Sequence, residues 1–193
     1  MAEKTIVTFY PKNRQEWREW LQRNHAIEQS IWLVYYKKNS AKPTISYTEA
    51  VDEALCFGWI DSKINPVDEE KYIQFFSRRK AKSVWFKINK EKVAKLIQQQ
   101  LMSKAGYEII ELAKQNGSWI ILDDVEALLI PPDLEEKFAS NAIAKEYFLS
   151  LSRSDKRNIL QWLTLAKRAT TRENRLKEIV TLAAGKRKPK QFT

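Results

Sequence analysis

The spacing of apolar residues changes period several times along the chain, and each change marks an element. Residues 5–9 alternate weakly and predict a short strand that Pro11 closes. Asn13 with Glu16 predicts a capped helix running to about His25, with Trp17, Trp20 and Leu21 as its apolar stripe. Residues 30–37, Ser-Ile-Trp-Leu-Val-Tyr-Tyr-Lys, are dense in β-branched and aromatic side chains and predict a strand. A loop over 38–44 leads into residues 46–63, the stretch around which the rest is organised. There Ser46 and Glu49 form a capping box, in which each side chain satisfies a backbone N–H that the first helical turn leaves open. Ala50, Val51, Ala54 and Leu55 give the helix one apolar stripe, and Gly58 stands where a helix end needs positive φ. Residues 59–63 then predict a strand carrying Trp59, Asp61 and Lys63.

A polar loop over 65–70 and a returning strand over 72–76 complete a hairpin. Asn89 predicts the cap of a helix with Val93, Leu96, Ile97 and Leu101 on one face. A second helix over 103–116 runs through Ile109, Ile110, Leu112 and Ala113 to Gly117. The segment 119–130 is apolar with an acidic centre and fits neither period. From Pro131 onward every pattern is helical. Asp133 with Glu136 starts a short helix, and Asn141 starts another that runs to about Leu151. Ser152 with Asp155 caps a third that buries Ile159, Leu160, Trp162, Leu163 and Ala166. Thr170 with Glu173 caps the last, which uses Leu176, Ile179, Val180 and Ala183 and stops at Gly185. The expected fold class is α+β: a small antiparallel sheet with packed helices over residues 1–118, followed by a C-terminal helical unit over 131–185 packed on it. A basic, mobile tail is expected over 186–193.

Composition sharpens this picture. Of 193 residues 44% are hydrophobic, an ordinary globular share, and seven are Trp, so large rings should dominate the core. Only four Gly are present, at 58, 106, 117 and 185, which excludes the glycine-rich phosphate loops of nucleotide-binding proteins. A single cysteine, Cys56, excludes an internal disulfide framework and fits a reducing compartment. No apolar run is long enough to span a bilayer and the first residues carry no apolar core of a signal peptide, so a soluble, cytoplasmic protein without membrane insertion is expected. Net charge is +10 and uneven. Residues 49–70 hold seven acids against one base, and residues 71–104 hold ten bases against one acid. A basic surface able to attract an anionic partner follows.

The chemistry concentrates in one constellation. Trp59, Asp61 and Lys63 share a strand face by period-two alternation, and Arg78, Arg79, Lys82, Ser83, Trp85 and Asn89 follow downstream. If Arg79 returns beside Asp61, a bidentate ion pair forms there. The nine residues then stand as a candidate pocket holding phosphate or carboxylate against an aromatic wall, or as hairpin ties, core and caps. A small anionic ligand or an acidic protein partner fits the first reading. In an enzymatic variant Asp61 is the acid or base for a small anionic substrate and the arginines clamp an oxyanion. Basic residues interleaved with Tyr72, Phe75, Phe76, Trp85 and Phe86 also leave nucleic acid open as a partner. One His and one Cys, 31 positions apart, do not make a zinc site, and no cofactor or metal is expected. His25 reads as a helix C-terminal cap and Cys56 as a small buried hydrophobe.

These residues also carry a family resemblance. Residues 17–25, 31–38, Glu49-Ala50, the run Ala-Leu-Cys-Phe-Gly-Trp-Ile-Asp-Ser over 54–62, Lys82-Ser83 with Trp85 and Asn89, and Ala166-Lys167-Arg168 with Thr171-Arg172 resemble the YdeI/OmpD-associated, or bacteriocin-protection, family. Arg78 and Phe86 depart from its pattern, standing where that family carries a proline and a serine. The resemblance implies a module for protection against antimicrobial peptides or stress and implies no settled reaction.

Overall fold

The computed structural model of the protein describes residues 7–192, and two compact units divide the chain, Met1–Trp119 and Ile120–Thr193. In the first, strands β1 (Thr8–Phe9), β2 (Ser30–Tyr36), β3 (Trp59–Pro66) and β4 (Lys71–Arg78) form one sheet in the order β1-β2-β4-β3. Residues 5 and 6 of the expected first strand lie outside the described residues. The β2–β4 and β3–β4 pairs are antiparallel, as the hairpin pattern requires. The sheet is nevertheless mixed rather than antiparallel, because β1 runs parallel to β2. Parallel neighbours need a crossover, and helix α1 (Arg14–Asn24) supplies it.

Register decides which side chains enter the core. Ile31, Leu33 and Tyr35 of β2 lie opposite Phe76, Gln74 and Tyr72 of β4, so these alternate positions share one face. Against that face α1 lays Trp17 and Leu21, and α2 (Tyr47–Cys56) lays Ala50, Val51, Ala54 and Leu55. The two helices are joined by polar groups as well as by packing. The Trp17 indole donates to the Ala50 carbonyl at 3.0 Å, and buried Glu53 takes Arg14 at 2.5 Å and Arg18 at 2.6 Å. The capping box of Ser46 and Glu49 is present in full, and Asn13 caps α1 through the Glu16 N–H.

Helices α3 (Lys87–Gln98) and α4 (Lys104–Gln115) complete the unit. Asn89 does not cap α3. The helix begins two residues earlier, with extended Phe86 at its cap position, and Asn89 is buried inside the first turn. Ser103 caps α4 through the Gly106 N–H, and both its backbone N–H (3.0 Å) and its hydroxyl (2.7 Å) donate to the Cys56 carbonyl at the end of α2. Gly106 permits this approach. A Cβ there would stand 2.2 Å from the Cys56 oxygen, so only hydrogen lets α4 lie directly on the elbow.

The second unit holds α5 (Asp123–Glu126), α6 (Pro132–Ala139), α7 (Ala142–Ser150), α8 (Arg153–Thr164) and α9 (Ala169–Ala184). The undecided segment 119–130 is thus a set of turns around the short α5. Asn141 and Ser152 cap α7 and α8 as their sequence signals require. Thr170 and Glu173 do not cap α9. It starts at Ala169 with no side-chain cap, and Glu173 pairs with Lys137 instead. Ala166 lies beyond the end of α8 and Trp162 is half-buried, so both fall outside the core expected for that helix. The basic tail makes contacts with the helices before it. Lys188 pairs with Asp155 at 3.2 Å, the Lys190 N–H donates to Glu178 at 3.0 Å, and Phe192 meets Trp162 edge-on.

Candidate functional site

The site grows from the elbow between α2 and β3. Helix α2 ends at Cys56, Phe57 caps it, and Gly58 takes φ +73° to turn the chain into β3. The Gly58 carbonyl accepts the Arg79 N–H at 2.9 Å, which brings the end of β4 and the basic run against the elbow. Helix α4 closes a second side, held by the Ser103 and Gly106 contacts to Cys56. The end of α1 closes a third, where the Trp59 indole donates to the His25 carbonyl at 3.3 Å. Between them lies a cavity of about 370 Å³. Phe57, Gly58 and Trp59 form its elbow side, His25 and Ala26 its α1 side, Arg78 and Arg79 its basic end, and Ala105, Glu108, Ile109 and Leu112 its α4 wall.

Arg79 is the unusual member. It is only 6% exposed, yet no carboxylate pairs with it among the described residues. Its guanidinium lies 3.7 Å from the centre of the buried Trp85 ring, Nη1 donates to the Val84 carbonyl at 3.2 Å, and Nε is buried without a partner. Burial pulls its pKa down to about 10, with the more distant charge of Asp61 pulling the other way. A buried cation left without a counter-ion is costly unless something supplies one. Its neighbour Arg78 directs Nε to the Glu28 carbonyl at 2.7 Å. His25 bonds the Leu21 carbonyl through Nδ1 at 2.8 Å, as a helix C-terminal cap should, which fixes the proton on Nδ1. Nε2 is left as the nitrogen able to meet a ligand.

The expected Asp61–Arg79 ion pair is absent. Asp61 Oδ2 accepts instead from Gln74 Nε2 at 2.8 Å and Tyr47 Oη at 3.1 Å, and Asp61 is not part of the cavity lining. Asp61 burdens its neighbour in turn: burial first, then the carboxylate, push the Tyr47 hydroxyl up to about 12. Lys63 leaves the face of Trp59 and Asp61 because a bulge shifts the register between Asp61 and Ile64, and it is exposed. Ser83 forms the turn after β4, accepting from the Lys80 N–H at 3.1 Å, with Lys82 exposed beside it. Of the nine residues singled out from sequence, the structure brings Trp59, Arg78 and Arg79 to the cavity and places Trp85 beneath Arg79. It leaves Asp61, Lys63, Lys82, Ser83 and Asn89 outside. His25, Phe57, Glu108, Ile109 and Leu112 enter through tertiary packing. Apolar, capping or motif patterns marked four of them in the sequence, and nothing marked Glu108.

Of the rings in the nucleic-acid reading, Phe76 and Trp85 are buried, Tyr72 and Phe75 half-buried and Phe86 exposed. Cys56 is buried too, and burial first, then Glu53, push its thiol up to about 11, so it is a poor nucleophile. Among the described residues no group of three His, Cys, Asp or Glu side chains is placed to hold a metal, and no helix is long and apolar enough to cross a membrane.

A family model described as Domain of unknown function (DUF8412) matches residues 9–109, just over half of the 193 residues, and includes every residue of the cavity lining except Leu112. The chain belongs to that family. A second model, described as Bacteriocin-protection, YdeI or OmpD-Associated, matches residues 127–185. The resemblance drawn from sequence over nearly the whole chain is therefore matched in its C-terminal part, whereas the motifs between Trp17 and Asn89 fall in the other family's region. No curated protein and no solved structure matches the chain.

Proposed function

We propose that the protein is a binding module that holds a small anion in the cavity at Arg79 and serves, in the cytoplasm, a protective role of the kind the C-terminal family's description names. The buried, unpaired Arg79 carries the binding part of this reading. A folded protein keeps such a group at a cost, and an anion entering the cavity offsets it. The surroundings suit a ligand, because a cavity of this volume falls in the range of small-molecule sites and combines apolar walls with a few convergent polar groups. The match at 127–185 supports the protective role.

The test is a thermal-shift series with acetate, sulfate, phosphate and benzoate at constant ionic strength, repeated at higher salt. A ligand that binds only the folded state raises the midpoint, by about 2.7 kcal/mol of stabilisation at a hundred times its dissociation constant. The rise is expected with at least one small anion, to survive added chloride, and to vanish in Arg79→Met. A rise that Arg79→Met retains, or none with any anion, refutes the reading.

A further inference from the structure

Resting on that reading, the cavity lining also says which anion fits, and we infer that the ligand is a monocarboxylate with an apolar body. Three features of the lining converge on this class. The first is charge. The arginine and carboxylate side chains of the lining are two guanidiniums, Arg78 and Arg79, and one carboxylate, Glu108, so one negative charge balances them. A phosphate monoester brings between one and a half and two negative charges at neutral pH and leaves an excess beside Glu108.

The second feature is shape at the basic end. A guanidinium is a planar fork that matches a planar carboxylate, and Arg79 Nε, buried without a hydrogen-bond partner, leaves one arm of such a pair unfilled. The stack on Trp85 fixes the plane of that fork. The third is the wall. Phe57, Ile109 and Leu112 line the remainder, and a hydrated oxyanion alone would leave these surfaces facing water. An alkyl or aryl body covers them, at about 0.8 kcal/mol for each methylene buried. Leu112 is 40% exposed, so this wall reaches the mouth of the cavity and a chain of several carbons remains in contact along it.

The experiment is an NMR titration that follows the Trp59 and Trp85 indole N–H signals in the full chain. The probes are acetate, butanoate, hexanoate, benzoate, inorganic phosphate, phenyl phosphate and hexylamine. Affinity is expected to rise about two- to fourfold for each methylene added from acetate to hexanoate. Benzoate should bind tighter than phenyl phosphate, and hexylamine should not bind. Leu112→Ser replaces a half-exposed side chain, so the fold should tolerate it. It should flatten the chain-length ladder, lowering the affinity for hexanoate by a larger factor than that for acetate. Tighter binding of phosphate than of every carboxylate, or affinities independent of chain length, overturns the assignment of class and leaves the anion site standing. A signal change with hexylamine that equals the one with hexanoate overturns the charge argument. No response to any anion overturns the site and the class together.

Discussion

Replacing Arg79 by Met should leave stability almost unchanged, an unusual outcome for a side chain only 6% exposed. Burial pulls the guanidinium down to about 10, well below the free group, which corresponds to about 3 kcal/mol of destabilisation of the charge in the folded state. The sign follows from proton linkage. Below pH 10 the group is charged in both states, so the penalty is constant through the neutral range. Only above about 10, where the folded group has lost its proton and the unfolded one still holds it, does the unfolded chain bind more protons, and there the penalty fades as pH rises. Methionine removes that penalty at pH 7. It also removes a desolvated stack on Trp85, about 2 kcal/mol, and a charged hydrogen bond to Val84, about 1.5 kcal/mol. About 1 kcal/mol of the stack returns as a sulfur–ring contact. These contributions nearly cancel, and the net change should fall within about 1 kcal/mol of zero. Urea unfolding followed by tryptophan fluorescence measures it. A loss above about 3 kcal/mol, the cost of breaking a buried ion pair, would mean that Arg79 has a compensating partner and that the cavity holds no spare charge.

Gly106→Ala should destabilise by about 2 kcal/mol in the same assay despite a helix-propensity gain of about 1 kcal/mol, because its Cβ must displace the backbone of Cys56 and with it the cavity wall. A stabilised variant would contradict the close approach. Glu53→Gln should cost about 2–3 kcal/mol by denaturation, since it breaks two ion pairs at a carboxylate that is 1% exposed while its arginine partners remain partly solvated. Stability should also fall with alkali. The Tyr47 hydroxyl is raised to about 12 in the folded state, so its contribution is complete below about 10, where an unfolded tyrosine begins to ionise, and is lost as pH rises toward 12. Tyr47→Phe should flatten that part of the pH–stability curve, and an unchanged slope would separate Tyr47 from the transition.

Local signals identified the elements because local physics forms them. The box at Ser46 and Glu49, the caps at Asn13, Asn141 and Ser152, and the turn at Gly58 each depend on residues within four positions. The failures share the opposite property. Asn89 and Thr170 are good capping residues by type, but α3 and α9 start earlier because Phe86 and Arg168 take extended backbone there, where no sequence rule demands it. The parallel β1–β2 pair was hidden because two residues of strand carry no direction.

The site divides along the same line. Trp59 and Arg79 were legible as a neighbouring aromatic strand and basic run, and one backbone hydrogen bond from Arg79 to Gly58 turns that neighbourhood into a cavity end. The pairing of Asp61 with Arg79 was the natural electrostatic guess, since the two lie near each other and carry opposite charge. It fails because Gln74, one register pair further along β4, and Tyr47, on the first turn of α2, reach the carboxylate first. Satisfying Asp61 with neutral donors leaves the arginine uncompensated. The same two hydrogen bonds that engage Asp61 Oδ2 are therefore what leave Arg79 available to an anion from outside.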